Sequence, residues 1–259
     1  MITSDKNKII KDILKLKQKK QRDITGNFYI EGERIIDEIP SNIEIKKYIF
    51  SEKFYKDLKN KEKYKKIDNI IVSDSVFKKI SDTINPQGIM AICSMPKNNI
   101  NSIKIKENKV FVILDRICDP GNMGTIIRTA EALGIDSIFL SKGCVDLYNP
   151  KVIRATMGAI FHIPIIQDCD ISYLITHLKS NNVNIVCTHL DGDKAPYNID
   201  FKKSTAILIG NEANGVLEQY KNEADELVKI PMVGKVESMN ASISSAIIFY
   251  EVLSQRLKR

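Results

Sequence analysis

Residues 230–243 read Ile-Pro-Met-Val-Gly-Lys-Val-Glu-Ser-Met-Asn-Ala-Ser-Ile. They follow a short apolar strand pattern and lead into the apolar helix pattern of residues 243–257. Free N–H groups at a helix start, together with neutral hydroxyl and amide side chains, favour a small-ligand pocket at such a junction. The side chains concerned, Ser238, Asn240 and Ser242, could equally serve only to cap the last helix. This segment alone leaves both interpretations open.

A second segment places polar residues after a predicted strand. Val110–Leu114 is a continuous apolar run, which is typical of a buried parallel strand. Asp-Pro-Gly-Asn at residues 119–122 predicts a turn, and apolar residues then recur at helical spacing until Gly134, a natural helix stop. Arg128 therefore lies near the middle of a predicted helix.

A third segment repeats this arrangement of strand and polar loop. Residues 206–209 form another buried-strand pattern, which ends abruptly at Gly210. Glu212 and Gly215 lie in the loop that follows. Because ligands bind at the carboxyl ends of the strands in open α/β sheets, we expect these loops to contribute to one site.

Together the three segments resemble the three motifs of the SpoU–TrmH family of RNA 2′-O-methyltransferases, within the SPOUT superfamily. The resemblance is close in order and spacing over residues 108–259 and looser before them, and residues 149–159 resemble the family's intervening helix. One departure is Ala213, where many relatives have glycine, and it removes no functional group. The matching residues are Asn122 and Arg128 in the first motif, Gly210, Glu212 and Gly215 in the second, and Ser238, Met239, Asn240 and Ser242 in the third.

The expected fold is α/β, with a parallel sheet in the C-terminal part. Strand and helix patterns alternate from residue 110 onward, which predicts a parallel sheet covered on both faces. Ordinary connection rules would make this sheet Rossmann-like and unknotted, but no G-x-G-x-x-G follows the first strand. The resemblance implies instead a SPOUT domain with a deep trefoil knot. The predicted strands are Val110–Leu114 and residues 137–140, 163–166, 184–188, 206–209 and 227–230.

The resemblance implies S-adenosylmethionine as the cofactor, bound in the knot mainly by backbone groups. The resemblance also implies that Pro231 and Met232 shape the adenine site. These residue types fit, because glycine allows close approach and apolar side chains wall a flat heterocycle. For the side chains of Ile230, Met232 and Met239 themselves, plain core packing is the better explanation, and the backbone role does not depend on them. The expected cofactor-binding residues are Gly210, Asn211, Gly215, Ile230, Met232, Met239 and Ser242.

Arg128 is the expected catalytic residue, because the family's equivalent arginine is proposed to deprotonate the ribose hydroxyl. A free guanidinium, with a pKa above about 12, is a poor base, so Arg128 could instead hold the hydroxyl and the adjacent phosphate while water accepts the proton. If Arg128 points inward, it needs a partner, for which Glu212 and Asn122 are the candidates. The expected catalytic residues are Asn122, Arg128, Glu212, Ser238 and Asn240.

The net charge of +7 is concentrated in the first third of the 259-residue chain. Residues 1–97 contain 21 lysines and arginines against 14 acidic residues, whereas residues 98–259 contain 18 of each. This distribution is typical of an RNA-binding module beside a neutral catalytic one, although a solvated lysine-rich surface gives the same count. Residues 8–22 predict one amphipathic helix. The expected RNA-binding residues are Lys19, Lys20, Arg22, Arg34 and Arg154, the last of which could equally form a surface salt bridge.

We expect two domains. Residues 1–97 form a basic substrate-binding domain that resembles the L30e/L7Ae fold, residues 98–107 a linker, and residues 108–259 the methyltransferase domain. The resemblance implies a homodimer built through the C-terminal helix region. It favours 23S ribosomal RNA as the substrate, with transfer RNA as the alternative. A non-catalytic RNA-binding or ribosome-assembly protein is a further alternative, which the presence of the whole motif set disfavours.

Composition excludes several other classes of protein. No apolar run approaches the roughly 18–20 residues that cross a bilayer, and the N-terminus carries no apolar signal core. The five cysteines are scattered without a C-x-x-C pair, and the three histidines have no metal-ligand spacing. We therefore expect a soluble cytoplasmic protein without disulfides and without a metal site.

Overall fold

The structure is a computed structural model, and it describes residues 1–96, 98–100, 103, 105 and 107–257. Two units are distinct in it. The predicted linker, residues 98–107, includes positions 101, 102, 104 and 106, which lie outside the described residues. The first unit consists of Met1–Lys97 and Tyr148–Phe161, and the second of Asn98–Leu147 and His162–Arg259.

Helices and strands follow one another along most of the described chain. The helices are α1 (Lys8–Lys15), α2 (Lys19–Thr25), α3 (Glu33–Asp37), α4 (Glu52–Asp57), α5 (Asp74–Ile80), α6 (Pro120–Ala132), α7 (Pro150–Thr156), α8 (Ile171–Lys179), α9 (Glu218–Asn222) and α10 (Ala241–Leu257). The strands are β1 (Asn27–Glu31), β2 (Ile45–Ser51), β3 (Asn69–Val72), β4 (Ile89–Ser94), β5 (Val110–Leu114), β6 (Ser137–Ser141), β7 (Ile165–Cys169), β8 (Asn184–Thr188), β9 (Thr205–Ile209) and β10 (Glu226–Val228). Short 3₁₀ helices lie at Lys61–Tyr64, Ala159–Phe161 and Pro196–Asn198.

The first unit is built on a four-stranded sheet in the order β1-β4-β2-β3. Helices α1 and α5 cover one face, where apolar residues such as Ile10 and Phe77 pack with Ile49 of β2. Because neighbouring residues of a strand point to opposite faces, Phe50 lies on the other face. There its ring centroid is 5.3 Å from that of Tyr64, in the 3₁₀ helix between α4 and β3. This sheet therefore has an apolar layer on each side.

The single helix predicted over residues 8–22 is two helices in the structure. Helix α1 ends at Lys15 and α2 begins at Lys19. The Nη1 of Arg22 donates a hydrogen bond of 2.6 Å to the Leu16 carbonyl in the break between them. Because Arg22 is only 2% exposed, its guanidinium is out of reach of a phosphate, which corrects the prediction that it binds RNA.

Residues Tyr148–Phe161 belong to the first unit, although we expected them in the methyltransferase domain. The Tyr148 ring lies 4.5 Å from that of Phe28 in β1, and α7 contacts the same strand. The α7 residues Val152 and Ile153 are buried. Burial of these apolar side chains explains why the segment belongs to the first unit, although the residues before and after it in the chain belong to the second.

The second unit is built on a six-stranded sheet in the order β10-β8-β9-β5-β6-β7, with every neighbouring pair parallel. This confirms the predicted α/β fold with a parallel sheet, whereas the trefoil knot stays a prediction. Strands β5 and β8 have the predicted bounds. Strand β7 begins at Ile165, two residues later than predicted, since Pro164 has no N–H for the ladder.

Both faces of this sheet are buried. Residues of α8, including Leu174 and Leu178, pack with Phe111 and Ile113 of β5. Val112 and Leu114 point to the opposite face and are fully buried there. Helices α6 and α10 contact each other. None of the helices in the described ranges has the length and apolar character that crossing a membrane requires.

Candidate active site

Three strands of the second unit end at one cleft. The loops that follow β8, β9 and β10 line it, together with the start of α10, and its volume is about 420 Å³. This volume falls within the usual range for small-molecule sites, and strand carboxyl ends are where such sites form in α/β sheets. Six of the seven expected cofactor-binding residues line the cleft: Gly210, Asn211, Gly215, Ile230, Met232 and Met239.

The loop after β9 turns back on itself immediately beyond the strand. A Cβ at position 210 would lie 2.2 Å from the carbonyl carbon of Gly215, so only glycine fits there. The Gly215 N–H donates to the Asn211 carbonyl at 2.8 Å, and the Asn211 N–H donates to the Gly215 carbonyl at 3.2 Å. The side-chain oxygen of Asn211 accepts a hydrogen bond from the Ala213 N–H at 2.9 Å. These contacts give the loop a fixed conformation at the wall of the cleft.

Asp115 and Arg116, directly after β5, hold both ends of this loop. The Asp115 carboxylate is fully buried and accepts hydrogen bonds from the Arg116 guanidinium at 3.0 Å and from the Leu217 N–H at 3.0 Å. The same guanidinium donates to the Gly215 carbonyl at 3.1 Å, and the Arg116 carbonyl accepts from the Asn211 side chain at 2.8 Å. Hydrogen bonding to Asp115 raises the pKa of Arg116.

Sequence reasoning missed this pair. The signal was available, because two charged residues follow a buried strand directly in Leu-Asp-Arg, at a strand end that the fold makes part of the site. It missed Thr188, His189 and Leu190 as well, which line the cleft after β8. The same rule about strand ends would have found them.

Residues of the three motifs meet in one hydrogen-bonded group. The Asn122 amide donates to the Glu212 carboxylate, and the Asn240 amide donates to the Asn122 side-chain oxygen at 2.9 Å. The Asn240 oxygen in turn accepts from the Ser242 N–H at 2.9 Å, which caps α10. Asn240 thus caps the helix and also joins the motifs, so capping is confirmed and the small-ligand pocket stays a prediction.

Ser242 does not belong to the walls of the cleft. It is only 6% exposed, and its hydroxyl donates a hydrogen bond of 2.6 Å to Asn240. The structure therefore corrects the expectation that Ser242 contacts the cofactor, because its side chain is committed to the helix cap. Ser238, by contrast, is exposed and lines the cleft with Glu212.

Arg128 is exposed on α6 and makes no hydrogen bond or ion pair with any residue that the structure describes. The expected contact with Glu212 or Asn122 is absent, since those two side chains bind each other. Arg128 lies six residues after Asn122, a helical rise of about 9 Å. Its charge therefore faces solvent, where an anion can reach it.

The remaining expected RNA-binding residues lie in the first unit. Lys19, Lys20 and Arg34 are exposed, and none of them pairs with an acidic residue in the described part of the chain. Arg154 is half-buried on α7, near Tyr29, and it forms no salt bridge with described residues. No group of three or more side chains suited to a metal ion occurs among the described residues.

Comparison with known proteins gives matches over both units. Residues 109–250 match the SpoU rRNA methylase family. Residues 7–91 match the MRM3-like substrate binding domain. The two matches together span most of the chain and assign a separate role to each end of it.

Individual relatives match over similar lengths. The chain is 34% identical to the 23S rRNA (guanosine(2553)-2′-O)-methyltransferase RlmP of Bacillus subtilis, over 97% of this chain and 98% of that protein. It is 31% identical to the 23S rRNA (uridine(2479)-2′-O)-methyltransferase of Streptomyces viridochromogenes, over 66% and 62%. The crystal structure of an AdoMet-bound rRNA methyltransferase from Sinorhizobium meliloti is 34% identical, with a TM-score of 0.87, over 97% of this chain and 96% of that one.

Proposed function

This chain belongs to the SpoU rRNA methylase family, and from that premise we propose that it methylates a ribose 2′-hydroxyl of 23S ribosomal RNA with S-adenosylmethionine. The observation that carries the proposal is the group formed by Asn122, Glu212 and Asn240. Their hydrogen bonds join residues 90 and 118 positions apart in the chain, beside a cleft at the strand ends. Such a meeting of polar side chains is typical of an active site.

The cleft fits the proposed cofactor. Gly210 lets the backbone approach closely, and Ile230, Met232 and Met239 offer apolar walls for a flat heterocycle. The lining carboxylate of Glu212 is bound by Asn122, so its position is fixed. We infer that these residues hold S-adenosylmethionine, which supplies an activated methyl group when bound.

We assign Arg128 to the RNA side of the reaction. A guanidinium stays protonated at neutral pH and binds phosphate well, so Arg128 acts as a cation that orients the ribose and not as a base. Holding the reactants in line can contribute on the order of 7–11 kcal/mol to such a transfer. We propose that water accepts the proton that the ribose 2′-hydroxyl loses as the methyl group is transferred. Arg128→Lys should keep a cation but lose the bidentate geometry, and we expect turnover to fall.

We propose that the protein acts as a homodimer through α10. The groove along this helix has a volume of about 460 Å³ and is lined by Pro231 and Ile247 among others. Tyr250 is 64% exposed and Ile243 52% exposed, and both line this groove, so they form one contiguous apolar face. A second copy would cover this face. Analytical ultracentrifugation of Ile247→Glu should give a monomer where the unchanged protein gives a dimer.

The first unit would capture RNA, with Lys19, Lys20 and Arg34 as contacts for phosphates. The guanosine that RlmP methylates is the first nucleotide to test, because the likeness to RlmP spans both units. Transfer RNA is the second candidate, as the family's motifs also serve that substrate. Modification of ribosomal RNA would place the enzyme in the cytoplasm.

The test is methyl transfer from radiolabelled S-adenosylmethionine to unmodified 23S rRNA and to tRNA, each digested to nucleosides afterwards. Label in a 2′-O-methylguanosine of the rRNA supports the full proposal. Label only in tRNA would support the proposed methyl transfer but show that tRNA, and not 23S rRNA, is the substrate. Absence of both label and cofactor binding would refute the enzymatic function and favour an RNA-binding protein. Lys202→Ala, at an exposed residue that does not line the cleft, serves as the control variant.

A further inference from the structure

Two segments of the first unit are rich in basic residues, and they differ in how many of their charges are available to a ligand. Residues 8–22 lose part of their available charge, because Lys17 pairs with Asp82 at 2.9 Å and Arg22 is buried. Residues 53–66, which we call the lysine segment, contain seven lysines and two acidic residues. The lysine segment therefore contributes a formal +5, against +7 for the whole chain.

Four lysines of the lysine segment have no acidic partner among the residues that the structure describes. Its three salt bridges join Lys56 to Glu52, Lys63 to Asp37 and Lys65 to Glu62. The four lysines left are exposed and form no salt bridge within the described residues. These four are Lys53, Lys59, Lys61 and Lys66. Their charges are available to an anion from solution.

Aromatic side chains distinguish the lysine segment from residues 8–22, which have none. The Lys61 ammonium lies 4.6 Å from the centroid of the Tyr55 ring, and the Tyr55 ring lies 5.6 Å from that of Phe50 in β2. A cation held over a ring is attracted to it, so Tyr55 keeps Lys61 in place. Lys61 is thereby positioned before any ligand binds.

The lysine segment covers the Phe50 face of the sheet, through α4 and the 3₁₀ helix Lys61–Tyr64. Helices α1 and α5 pack on the opposite face. Lys8, Lys11 and Lys78 are exposed on those two helices and pair with no acidic residue among the described ones. The chain thus offers three control lysines in the same unit, with the same charge and on the other face.

We propose that the lysine segment binds the phosphate backbone of the RNA substrate, through Lys59, Lys61 and Lys66. The proposal rests on the RNA-directed function proposed above and adds a contact surface to it. Clustered cations on one face are the electrostatic pattern of nucleic-acid binding, and aromatic residues among them are common in RNA-binding surfaces. Phosphate contacts of this kind position RNA without reading its sequence.

The test compares two triple variants for methyl transfer to 23S rRNA. For Lys59→Ala/Lys61→Ala/Lys66→Ala, we expect the KM for rRNA to rise about 10- to 100-fold, with kcat and the Kd for S-adenosylmethionine unchanged. The slope of log affinity against log salt should become shallower by about 2, since each lost phosphate contact removes about 0.7–0.9. The control Lys8→Ala/Lys11→Ala/Lys78→Ala should change KM less than about threefold.

Two outcomes would overturn the proposal. If KM and the salt slope are unchanged in the first variant, these lysines do not contact phosphate. If both variants raise KM equally, the effect comes from the overall charge of the unit and not from the lysine segment. In either case methyl transfer by the unchanged protein would leave the proposed function intact. If the unchanged protein methylates no RNA, the proposed function fails first, and this proposal fails with it.

Discussion

Asp115→Asn tests whether the loop after β9 is held in its place from β5. Asparagine keeps the size of the side chain and one acceptor oxygen, but it loses the charge that pairs with Arg116 at 3.0 Å. Its amide group would also bring an N–H where the Leu217 N–H now donates. The Leu217 contact connects the end of β5 directly to the far end of the loop, and Arg116 makes the second connection through its hydrogen bond to the Gly215 carbonyl. Asp115 does not line the cleft, so its replacement acts on the cleft through the loop.

The size of the effect follows from the burial of the two partners. Removing one partner of a fully buried ion pair costs about 3–5 kcal/mol. Asp115 is 1% exposed but Arg116 is 27% exposed, so water compensates part of that loss. We expect the free energy of unfolding to fall by about 2–3 kcal/mol. If about 1.4–2 kcal/mol of this loss comes from weaker stabilisation of the loop in its binding conformation, the Kd for S-adenosylmethionine rises about 10- to 30-fold.

Isothermal titration calorimetry and urea unfolding measure the two quantities on one protein. Asp136→Asn is the matched control, because Asp136 accepts from the Lys109 ammonium at 2.5 Å and from the Val110 N–H at 2.8 Å at the other end of β5. It should lower stability and leave cofactor affinity unchanged. If Asp115→Asn destabilises the protein to the same degree without weakening cofactor binding, the loop does not depend on Asp115 and the reasoning is refuted.

Three further predictions concern single residues. Gly210→Ala should abolish measurable cofactor binding in calorimetry, because its Cβ would lie 2.2 Å from the backbone of the same loop; unchanged affinity would contradict the proposed binding site. Asn240→Ala should cost about 1 kcal/mol of stability as a lost cap and also reduce kcat, whereas Asp170→Ala, which removes the cap of α8, should cost stability alone. Burial raises the pKa of Cys187 to about 12, so its thiol stays protonated and unreactive up to that pH. Mass spectrometry after alkylation at pH 8 should find exposed Cys118 modified well before Cys187, and the reverse order would contradict the burial.

Local patterns in the sequence were sufficient for the elements of the second unit. A continuous apolar run marks a strand that is buried on both faces, so β5 was predicted with its observed bounds. The glycine stop at Gly134 marked the end of α6 in the same way, but the turn predicted over residues 119–122 is in fact the N-cap Asp119 and the first turn of that helix. Where an element's bounds depend on a specific side-chain contact, the prediction was less accurate, as for the single helix predicted over residues 8–22. Its break depends on a hydrogen bond between Arg22 and Leu16 that no periodicity records.

The residue pattern was sufficient to predict the parallel α/β class, the polar loop after β9 and the concentration of positive charge in the first third. Each of these features depends on which residue types occur at given positions or on a repeat within one element, so it can be seen without knowing the contacts between elements. Three features became known only from the folded chain: Glu212 binds Asn122 while Arg128 is exposed, Asp115 accepts a hydrogen bond from Leu217, and Tyr148–Phe161 joins the first unit. In the first two the contacting residues lie far apart along the chain, and so do the third segment and the strand that it packs on. An element's pattern reports how much of it is buried, but the partner that buries it lies about a hundred residues away and is chosen when the sheet assembles.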